Sequence, residues 1–452
     1  MAGKSRRRGL SPRAAVALEA LRAAGGLLAA PFRLAGFLPR RRRWIAAVEG
    51  DLATPAPIDP LPPPPAASGR AWHVFVSCAE PSGEIHATSL VDALRAEAAE
   101  HRLPPPRLSG LGGRGLAARG VELVGDPVAR AAMGADVLRS LRFYARLLAA
   151  AAAHLRRERP DAVVAVDSPA LHVPLGRLAR RYGIPVVHFG TPQYWAWAPW
   201  RVRAYARAVD LALTILPFEP AWFRRHGVRA AHVGHPLLDL LAGAPAARAG
   251  AGDLVLALLP GSRAAVIERN LPWMLVVASR LRLALPDLEV VVAQARADLA
   301  PAVRGHLERS GASRWARLEA GALHETLGRA GAALAVSGTV LLDLLHHRLP
   351  AVVIYRLGSP LAVGARRALL TVPWFASVNL LAGREVLPEH CFRGPGPVEE
   401  VSAALLRCYK DERGRERIVA GLDEAAARLG PPGAARRAAR HVLSLALSSP
   451  PP

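Results

Sequence analysis

The chain is poor in cysteine, in acidic residues and in aromatic residues, and it has no long apolar run. Three cysteines among 452 residues, at irregular spacing, give neither a disulfide framework nor a metal-binding motif, which favours a reducing compartment. No run of eighteen apolar residues occurs, so we predict no transmembrane helix. Near the N-terminus, Glu19 and Arg22 interrupt the apolar stretch and no clean cleavage site follows, which argues against a signal peptide.

The shortage of acidic residues leaves a strong positive charge. Thirty-six acidic residues face fifty-nine basic ones, for a formal net charge of +23. Such a protein favours anionic partners: nucleic acid, anionic lipid or a phosphorylated substrate, unless much of the arginine is plain solvated surface. The sequence has no RNA-binding signature, zinc spacing or basic-aromatic ladder, so we expect no nucleic-acid partner.

A basic, proline-rich extension precedes the predicted folded body. Residues 1–50 contain eleven Lys or Arg against two Glu, and apolar residues dominate between Pro12 and Leu38. This composition suits one or two amphipathic helices on an anionic bilayer, or a partly disordered basic arm. The segment from Pro55 to Pro65 is typical of a stiff polyproline-like linker. We therefore assign residues 1–69 to an N-terminal extension.

Length and apolar content predict two further domains, each built of alternating strands and helices. A chain of 452 residues, 51% of them hydrophobic, is too long for one ordinary core. The predicted fold class is α/β, with two parallel-sheet, Rossmann-like domains facing across a cleft. The composition turns to Gly, Ala and Pro at 242–252, which places the domains at 70–245 and at 246–452, the latter closed by C-terminal helices. The predicted strands are 72–77, 108–111, 162–166, 185–189, 211–216, 230–233, 254–259, 288–293, 332–336 and 351–355.

Two glycine-containing loops in the C-terminal half suit the binding of anions. Gly261, Ser262 and Arg263 follow one strand and would offer backbone amides and a guanidinium to a pyrophosphate. Ser337, Gly338 and Thr339 follow another strand and open a helix, whose first amides favour an anion. Asp343, one turn later, would reach ribose hydroxyls. Two such loops in one domain suggest a nucleoside diphosphate sugar, although each alone is also compatible with a structural loop.

Polar and aromatic residues follow the strands of the N-terminal half, where a parallel sheet gathers its ligands. Asp167 directly follows an apolar strand and would accept a proton from an attacking hydroxyl, or cap the next helix. The aromatic residues after the next strand would stack on a sugar, line an acyl channel or pack in the core. The candidate acceptor-binding or sugar-binding residues are Ser82, Gly83, Glu84, Gln193, Trp195, Trp197 and His235.

Ten ordered segments of the chain carry a resemblance to a known family. The segments are AEPSGE (79–84), GLGGRGL (110–116), AVDSP (165–169), TPQYWAW (191–197), ARAVD (206–210), PFEPAWFRRHGV (217–228), VGHPLLD (233–239), LLPGSR (258–263), SGT (337–339) and NLLAGREVLPE (379–389). In order and in spacing they resemble the lipid-A-disaccharide synthases over about residues 72–440.

The resemblance implies an inverting glycosyltransferase of GT-B architecture that holds UDP in its C-terminal lobe. It implies transfer of 2,3-diacylglucosamine from its UDP form to 2,3-diacylglucosamine 1-phosphate, giving UDP and a β-1,6-linked disaccharide. By position, Asp167 matches the family's important aspartate, Arg263 its phosphate clamp, and Asn379 and Glu385 its nucleotide region. No cofactor and no essential metal ion are expected. The implied location is cytoplasmic, peripheral on the inner face of the inner membrane. Whether two copies form a homodimer is left open.

Some positions depart from the family pattern. The second aspartate of the usual aspartate motif is replaced by Ala170, and the arginine that usually follows WAW by Ala198. An acidic residue three places after Arg263 is replaced by Val266, and the acid after SGT is Asp343 rather than Glu. These departures leave two alternatives open: a paralogue acting on another UDP-sugar or acceptor, such as an epimerase, or an inactive lipid-binding relative.

Overall fold

The computed structural model describes residues 11–65, 69–132, 137–243 and 254–448. The chain forms two compact units. The first contains residues through Trp44, then Ala56–Asp239, and the C-terminal residues from Pro431; the second contains Ile45–Pro55 and Leu240–Gly430. The boundary that the sequence predicts at 242–252 falls mostly on residues 244–253, which lie outside the described residues.

A sheet of seven parallel strands forms the centre of the first unit, in the order β3-β2-β1-β4-β5-β6-β7. The strands β1 and β4 are buried along their whole length, as expected when helices cover both faces of a parallel sheet. The strands are β1 (His73–Ser77), β2 (Arg107–Leu111), β3 (Glu122–Gly125), β4 (Ala162–Val166), β5 (Val186–Phe189), β6 (Leu211–Thr214) and β7 (Ala230–His232).

Helices connect these strands and precede them. Among the connecting helices, α4 begins with Pro81 at its first position, where proline needs no hydrogen-bond partner. The helices are α1 (Pro12–Leu28), α2 (Ala30–Phe37), α3 (Arg41–Ala53), α4 (Pro81–Glu100), α5 (Arg114–Ala117), α6 (Pro127–Ala132), α7 (Val137–Glu158), α8 (Pro169–Arg181), α9 (Val202–Ala206), α10 (Glu219–Arg225) and α11 (Leu237–Leu241). Short 3₁₀ turns lie at Leu38–Arg40 and Pro199–Arg201.

Most of the N-terminal extension is folded onto the first unit, whereas its residues Ile45–Pro55, which include most of α3, belong to the second unit. Two helices, α1 and α2, cover the segment for which the sequence suggests one or two amphipathic helices or a partly disordered arm, and a third helix, α3, was not predicted. Phe37 packs edge-on against Trp200 with ring centres 5.0 Å apart. The proline-rich segment is also docked, because Asp59 exchanges backbone hydrogen bonds with the edge strand β7 through its amide and its carboxylate. Burial of such side chains explains why the extension is ordered.

The apolar character of the extension raises the question of a membrane span. Among the described residues, no single helix is long and apolar enough to cross a bilayer. The pair formed by Pro12–Leu28 and Ala30–Ala53 passes that test by length and composition, but it is bent by 49°.

The second unit contains a six-stranded parallel sheet with the order β10-β9-β8-β11-β12-β13. Its strands are β8 (Val255–Leu259), β9 (Glu289–Gln294), β10 (Ala316–Ala320), β11 (Ala332–Val336), β12 (Ala351–Arg356) and β13 (Glu389–Phe392). Its helices are α12 (Ala264–Ala284), α13 (Ala300–Arg309), α14 (Leu323–Arg329), α15 (Val340–His346), α16 (Pro360–Leu369), α17 (Ser377–Ala382), α18 (Val398–Lys410) and α19 (Glu412–Leu429), with 3₁₀ turns at Ala297–Leu299 and Ala312–Arg314.

The last helix, α20 (Ala434–Ser448), differs from the sequence-based assignment. The sequence assigned all C-terminal helices to the second domain, whereas α20 packs against α4 and belongs to the first unit. Its buried face enters the core of the first unit through Ala438, Val442 and Leu443. The buried carboxylate of Glu97 accepts a hydrogen bond from Arg440 on α20 at 2.7 Å. An amphipathic pattern gives the apolar face of a helix but not the sheet that the face will cover.

Three edge strands were missed by the sequence analysis. The strands β3, β10 and β13 all contain exposed or half-buried residues, so none has the continuous apolar run of a central strand. The segment 380–389 was predicted as a loop entering a helix. It instead completes α17 and then leads through a loop into β13.

Candidate functional site

Asp167 occupies a strained turn at the carboxyl end of β4. Its backbone φ is +54° and that of Ser168 is +44°, a left-handed conformation that is rare for residues with side chains. Its amide donates a hydrogen bond to the carbonyl of Phe189 at 3.0 Å, which fixes the turn to β5. Strain of this kind persists only where the surroundings hold it, and it concentrates at functional sites.

Two neutral histidines hold the backbone carbonyl of Asp167. His172 Nδ1 and His188 Nε2 both lie within hydrogen-bond distance of that oxygen, which can only accept. The other ring nitrogens therefore accept, His172 Nε2 from Ser77 at 2.9 Å and His188 Nδ1 from Tyr205 at 3.0 Å. Burial lowers the pKa of His172 to about 3 and that of His188 to about 4. Both rings thus act as uncharged supports of the turn.

The carboxyl group of Asp167 lies between two glycines. A Cβ on Gly190 would come within 2.3 Å of its Oδ1, and one on Gly83 within 3.5 Å of its Oδ2. Burial raises the pKa of Asp167 to about 7, and the nearby carboxylates of Glu80 and Glu219 add to the rise. A carboxyl group that titrates near neutral pH is suited to exchange a proton with a substrate hydroxyl. Such a shift at a sheet edge marks a candidate functional residue.

The topology brings Asp167 and the loop after β1 together. The strands β1 and β4 are neighbours at the point where the sheet order reverses, which is where open α/β sheets bind ligands. Ser82 lies exposed in the first turn of α4, and Gly83 is buried beside Asp167. Of these candidates, Gly83 is thus the residue that the structure brings next to the carboxyl group of Asp167.

Glu84 has a structural role that the sequence analysis did not assign. Its Oε1 accepts hydrogen bonds from the amides of Gly113 and Gly115 at 2.8 and 2.9 Å. A carboxylate on the first amides of a helix caps it. Glu84 therefore connects the glycine-rich loop and α5 to α4. The sequence analysis had proposed it as an acceptor-binding residue, but its Oε1 is bonded to these backbone amides.

The aromatic cluster divides into a buried part and an exposed part. Trp195 is 1% exposed and donates from Nε1 to Glu219 at 3.0 Å, so it is a core residue with no face open to a sugar. Glu219 also accepts from the amides of Ile215 and Leu216, and burial raises its pKa to about 7. Trp197, by contrast, is exposed and lies beneath the guanidinium of Arg201.

The remaining candidates of the first unit differ in exposure. Gln193 is exposed at the same sheet edge as Trp197. His235 is buried, and its Nδ1 accepts from the amide of Leu237 at 3.2 Å. Burial lowers the pKa of His235 to about 3, with His86 lying edge-on 6.4 Å away. His235 is thus a neutral histidine that fixes the turn into α11.

The loop after β8 is exposed and basic, in contrast to the Asp167 site. Gly261 has a φ of +115°, and Arg263 is the N-cap residue of α12, the longest helix of the second unit. Gln294, at the end of β9, donates from Nε2 to the carbonyl of Gly261 at 3.1 Å. Gly261, Ser262 and Arg263 therefore lie where a long helix presents its free amides, and Gln294 holds the loop in place.

The Ser337-Gly338-Thr339 loop follows the neighbouring strand, β11. Because β8 and β11 flank the reversal of order in the second sheet, this loop and the Arg263 loop share one edge. Ser337 donates its hydroxyl to the carbonyl of Phe375 at 3.0 Å, whereas Gly338 and Thr339 are exposed. Asp343 is mostly buried in α15, which raises its pKa to about 7.

Asn379 is a structural residue rather than a free ligand group. Its Nδ2 donates to Leu387 O at 2.8 Å and to Glu389 at 3.2 Å, and its Oδ1 accepts from the amides of Val386 and Leu387. These four bonds use the full capacity of a carboxamide. Asn379 therefore shapes the loop that presents the exposed Glu385. Within the described ranges, no three His, Cys, Asp or Glu side chains are grouped to hold a metal ion.

The sequence analysis missed several residues that support these loops. His172 and His188 had no pattern to identify them, because their role depends on converging on one carbonyl. Gln294 and Glu389 stand at strand ends, and that position was the only available signal. Glu219 follows a predicted strand, but its partner Trp195 comes from another connection.

A family profile described as lipid-A-disaccharide synthetase matches residues 74–425. The chain is 37% identical over 380 residues to the lipid-A-disaccharide synthase of Myxococcus xanthus, covering 82% of this chain and 97% of that protein. It is 35% identical over 387 residues to the enzyme of the same name from Acidobacterium capsulatum, covering 80% and 93%.

Solved structures of proteins in complex with UDP or UDP-GlcNAc share the fold. The S. aureus MnaA–UDP structure superposes with a TM-score of 0.57 at 15% identity, covering 82% of this chain and 96% of that one. A UDP-GlcNAc 2-epimerase from Neisseria meningitidis, bound to UDP-GlcNAc, gives a TM-score of 0.50 at 11% identity, covering 84% and 100%. At such identities the likeness shows a common two-domain GT-B fold.

Proposed function

The chain belongs to the lipid-A-disaccharide synthase family and is a glycosyltransferase, and from this premise we propose its substrates and the residues that act on them. The donor is UDP-2,3-diacylglucosamine and the acceptor is 2,3-diacylglucosamine 1-phosphate. The products are UDP and the β-1,6-linked tetraacyl disaccharide 1-phosphate. The observation that carries the catalytic assignment is the carboxyl group of Asp167, held on a strained turn with its pKa raised to about 7.

We assign the acceptor to the first unit and general-base catalysis to Asp167. The acceptor's 6-hydroxyl loses its proton to Asp167 while its oxygen attacks the anomeric carbon of the donor. The bond from that carbon to the UDP oxygen breaks, and the configuration inverts in this single displacement. A pKa near the working pH lets Asp167 be ionised often and still take up the proton. Fixing its carbonyl by His172 and His188 limits how far the carboxylate can drift.

We assign the UDP moiety to the second unit. Arg263 and the first amides of α12 suit a diphosphate, whose charge grows as UDP leaves. Thr339 and Gly338 stand at the neighbouring strand end and supply further donors. Asp343 suits the ribose hydroxyls, and Glu385 lies in the exposed part of the adjoining loop. Asn379 and Ser337 act by positioning these loops, since the structure commits their side chains to backbone partners.

Both proposed substrates are acylated, so we place the enzyme peripherally on the cytoplasmic face of the inner membrane. The basic composition of the chain supports this location, because anionic lipids attract basic proteins. Pairing of two copies stays a prediction, which the molecular mass in solution tests.

The deciding experiment measures UDP release and the mass of the products from the two proposed substrates. We expect the wild type to form the disaccharide and Asp167→Ala to lose about a hundredfold or more in rate. The matched control is Asp92→Asn, which removes an exposed carboxylate whose one ion pair among the described residues is with Arg119 on the surface. We expect it to act within about twofold of the wild type.

The possible products separate the assignments. Disaccharide from both the wild type and Asp167→Ala would keep the reaction and discard the role of Asp167. An altered UDP-sugar without any disaccharide would instead indicate an epimerase. UDP binding without either product would point to a different acceptor.

A further inference from the structure

A cavity of about 770 Å³ lies within the first unit, between the N-terminal extension and the helices α8 and α9. Eight arginines line it: two from the extension, three from α8 and three from the segment 201–207. No acidic side chain is among its described lining residues. Its volume falls in the range of small-molecule sites, and guanidinium groups at this density select phosphate or carboxylate.

A buried carboxylate fixes the extension as a wall of this cavity. Glu19 of α1 is 4% exposed and lies 2.7 Å from Arg177 and 3.6 Å from Arg181, both on α8. It also pairs with Arg22 in its own helix at 2.6 Å. Because an unpaired buried carboxylate would be strongly unfavourable, these contacts hold α1 against α8. The wall that α1 contributes to the cavity is therefore held in place by ion pairs within the folded chain.

Half of the arginines that line the cavity have no acidic partner among the described residues. Arg180 is paired with Asp210 at 3.3 Å, and Glu19 serves three further arginines. The other four have no salt bridge to any described residue, although Arg201 lies over the rings of Tyr194 and Trp197. These four are Arg33, Arg201, Arg203 and Arg207. Like charges gathered without counterions are unfavourable in the free protein, and a bound anion relieves their repulsion.

Large apolar side chains stand exposed on the helices that form this wall. Leu27, Leu28 and Phe32 are between 77% and 80% exposed, although α1 and α2 each have a buried side that packs on the protein. Leu27, Leu28 and Phe32 stand within a few residues of the lining residues Gly26 and Arg33. Apolar side chains beside an arginine-lined cavity match the two parts of an anionic lipid, the acyl chains and the headgroup.

We propose that this arginine cavity binds the phosphate group of an anionic bilayer phospholipid while Leu27, Leu28 and Phe32 enter its acyl layer. The family match begins at residue 74, so α1 and α2 lie outside the part shared with the family profile. One wall of the cavity is therefore formed by the extension, whereas α8 and the segment 201–207 lie inside the part shared with the family profile. The proposal deepens the membrane placement given above but does not depend on the transferase reaction.

The test measures binding of the full chain to sedimented vesicles of phosphatidylcholine, with and without phosphatidylglycerol. Arg33→Gln, Arg203→Gln and Arg207→Gln are combined, since none of the three arginines holds a salt bridge among the described residues. We expect binding to phosphatidylglycerol vesicles to fall more than about tenfold, because each arginine near an anionic surface contributes about fivefold. High salt lowers wild-type binding in the same direction.

The matched control removes three exposed arginines of the same unit that lie away from the cavity: Arg102→Gln, Arg156→Gln and Arg229→Gln. It has the same net charge as the cavity variant, and we expect it to keep most of its binding. Equal losses of vesicle binding in the two triple variants would contradict binding at the cavity and would indicate an effect of overall charge alone. Melting curves confirm that both variants are folded.

A second arm tests the apolar part and the source of the phosphate. Leu27→Ser, Leu28→Ser and Phe32→Ser are combined in one variant. It should bind vesicles of either composition more than about tenfold more weakly, because each substitution removes an apolar side chain that would be buried in the acyl layer. Vesicle binding that is unchanged in the arginine variant, together with a raised KM for detergent-dispersed acceptor, would assign the cavity to the acceptor's phosphate and overturn the proposal. Extraction of the wild type only by detergent, not by salt, would indicate a spanning segment and overturn it too.

Discussion

The two sheets reverse their strand order in the same way but present opposite chemistry at that point. In the first unit the reversal between β1 and β4 holds a buried carboxyl group, supported by neutral histidines. In the second unit the reversal between β8 and β11 holds an exposed arginine and a hydroxyl-bearing loop. Burial raises the pKa of Asp167 to about 7, whereas Arg263 and Thr339 stand exposed at the strand ends of the second unit. One fold thus yields a candidate base and a candidate anion clamp.

The largest expected effect comes from crowding the carboxyl group of Asp167. Gly190→Ala places a Cβ at 2.3 Å from Oδ1 in a residue with a φ of +78°. We expect kcat/KM to fall about a hundredfold or more, because a displaced base loses its alignment. Gly183→Ala is the matched control: its φ is +75°, but its Cβ would meet no atom within 4 Å.

The control variant should share only the backbone strain. We expect Gly183→Ala to lose about 1 kcal/mol of stability and to keep its activity, since both substitutions force a side chain into the left-handed region. Equal activity losses in the two variants would show that strain alone explains the effect of Gly190→Ala.

Removing the clamp in the second unit should act on the donor rather than on the base. We expect Arg263→Ala to raise the KM for the UDP-sugar by roughly 10- to 100-fold, the equivalent of one charge-assisted hydrogen-bond pair. Steady-state kinetics and UDP binding by calorimetry check this. Arg304→Ala, on an exposed position of α13, is the control. A loss confined to acceptor KM would contradict the division of roles.

The dependence of activity on pH should follow the base. With the pKa of Asp167 raised to about 7, kcat/KM should fall about tenfold per pH unit below that value and level off above it. The pH profile of Arg263→Ala should keep this shape at a lower level. An inflection near the ordinary aspartate value would contradict the assignment.

The dependence of stability on pH has the opposite sign for the same residue. Folded Asp167 keeps its proton up to about pH 7, whereas the unfolded chain releases it near 3.8, so raising the pH through this window favours unfolding. Asp167→Asn should therefore gain stability over the wild type, by at most roughly 1.4 kcal/mol per pH unit between these values. Chemical denaturation at pH 5 and pH 8 checks this, and a larger gain at pH 5 would contradict it.

The smallest effect on ligand binding is expected from Asn379. Asn379→Ala leaves the amides of Val386 and Leu387 without their acceptor, so we expect a loss of roughly 2–4 kcal/mol in stability. UDP affinity measured well below the melting temperature should stay within about threefold. A loss of affinity as large as that of Arg263→Ala would return Asn379 to the binding site.

Much of the architecture could be predicted because central parallel strands are continuous apolar runs. The strands β1, β4, β8 and β11 were all predicted within a residue of their bounds, and the loops that follow them contain segments that carry the resemblance to the family. The edge strands β3, β10 and β13 escaped, since a half-buried strand has a weaker pattern. Helix α20 was predicted as a helix, but its packing on α4 in the first unit was not, because an amphipathic pattern does not specify the surface against which the apolar face packs.

By itself the sequence determined the family, the two parallel-sheet domains and the strand ends at which chemistry gathers, because these depend on local patterns and on ordered motifs. Only the tertiary structure decided what each side chain at those ends does. It buried Trp195, committed Glu84 and Asn379 to backbone amides, and brought His172 and His188 onto one carbonyl. Hydrogen bonding and burial depend on which distant segments meet, and that information is spread over the whole chain.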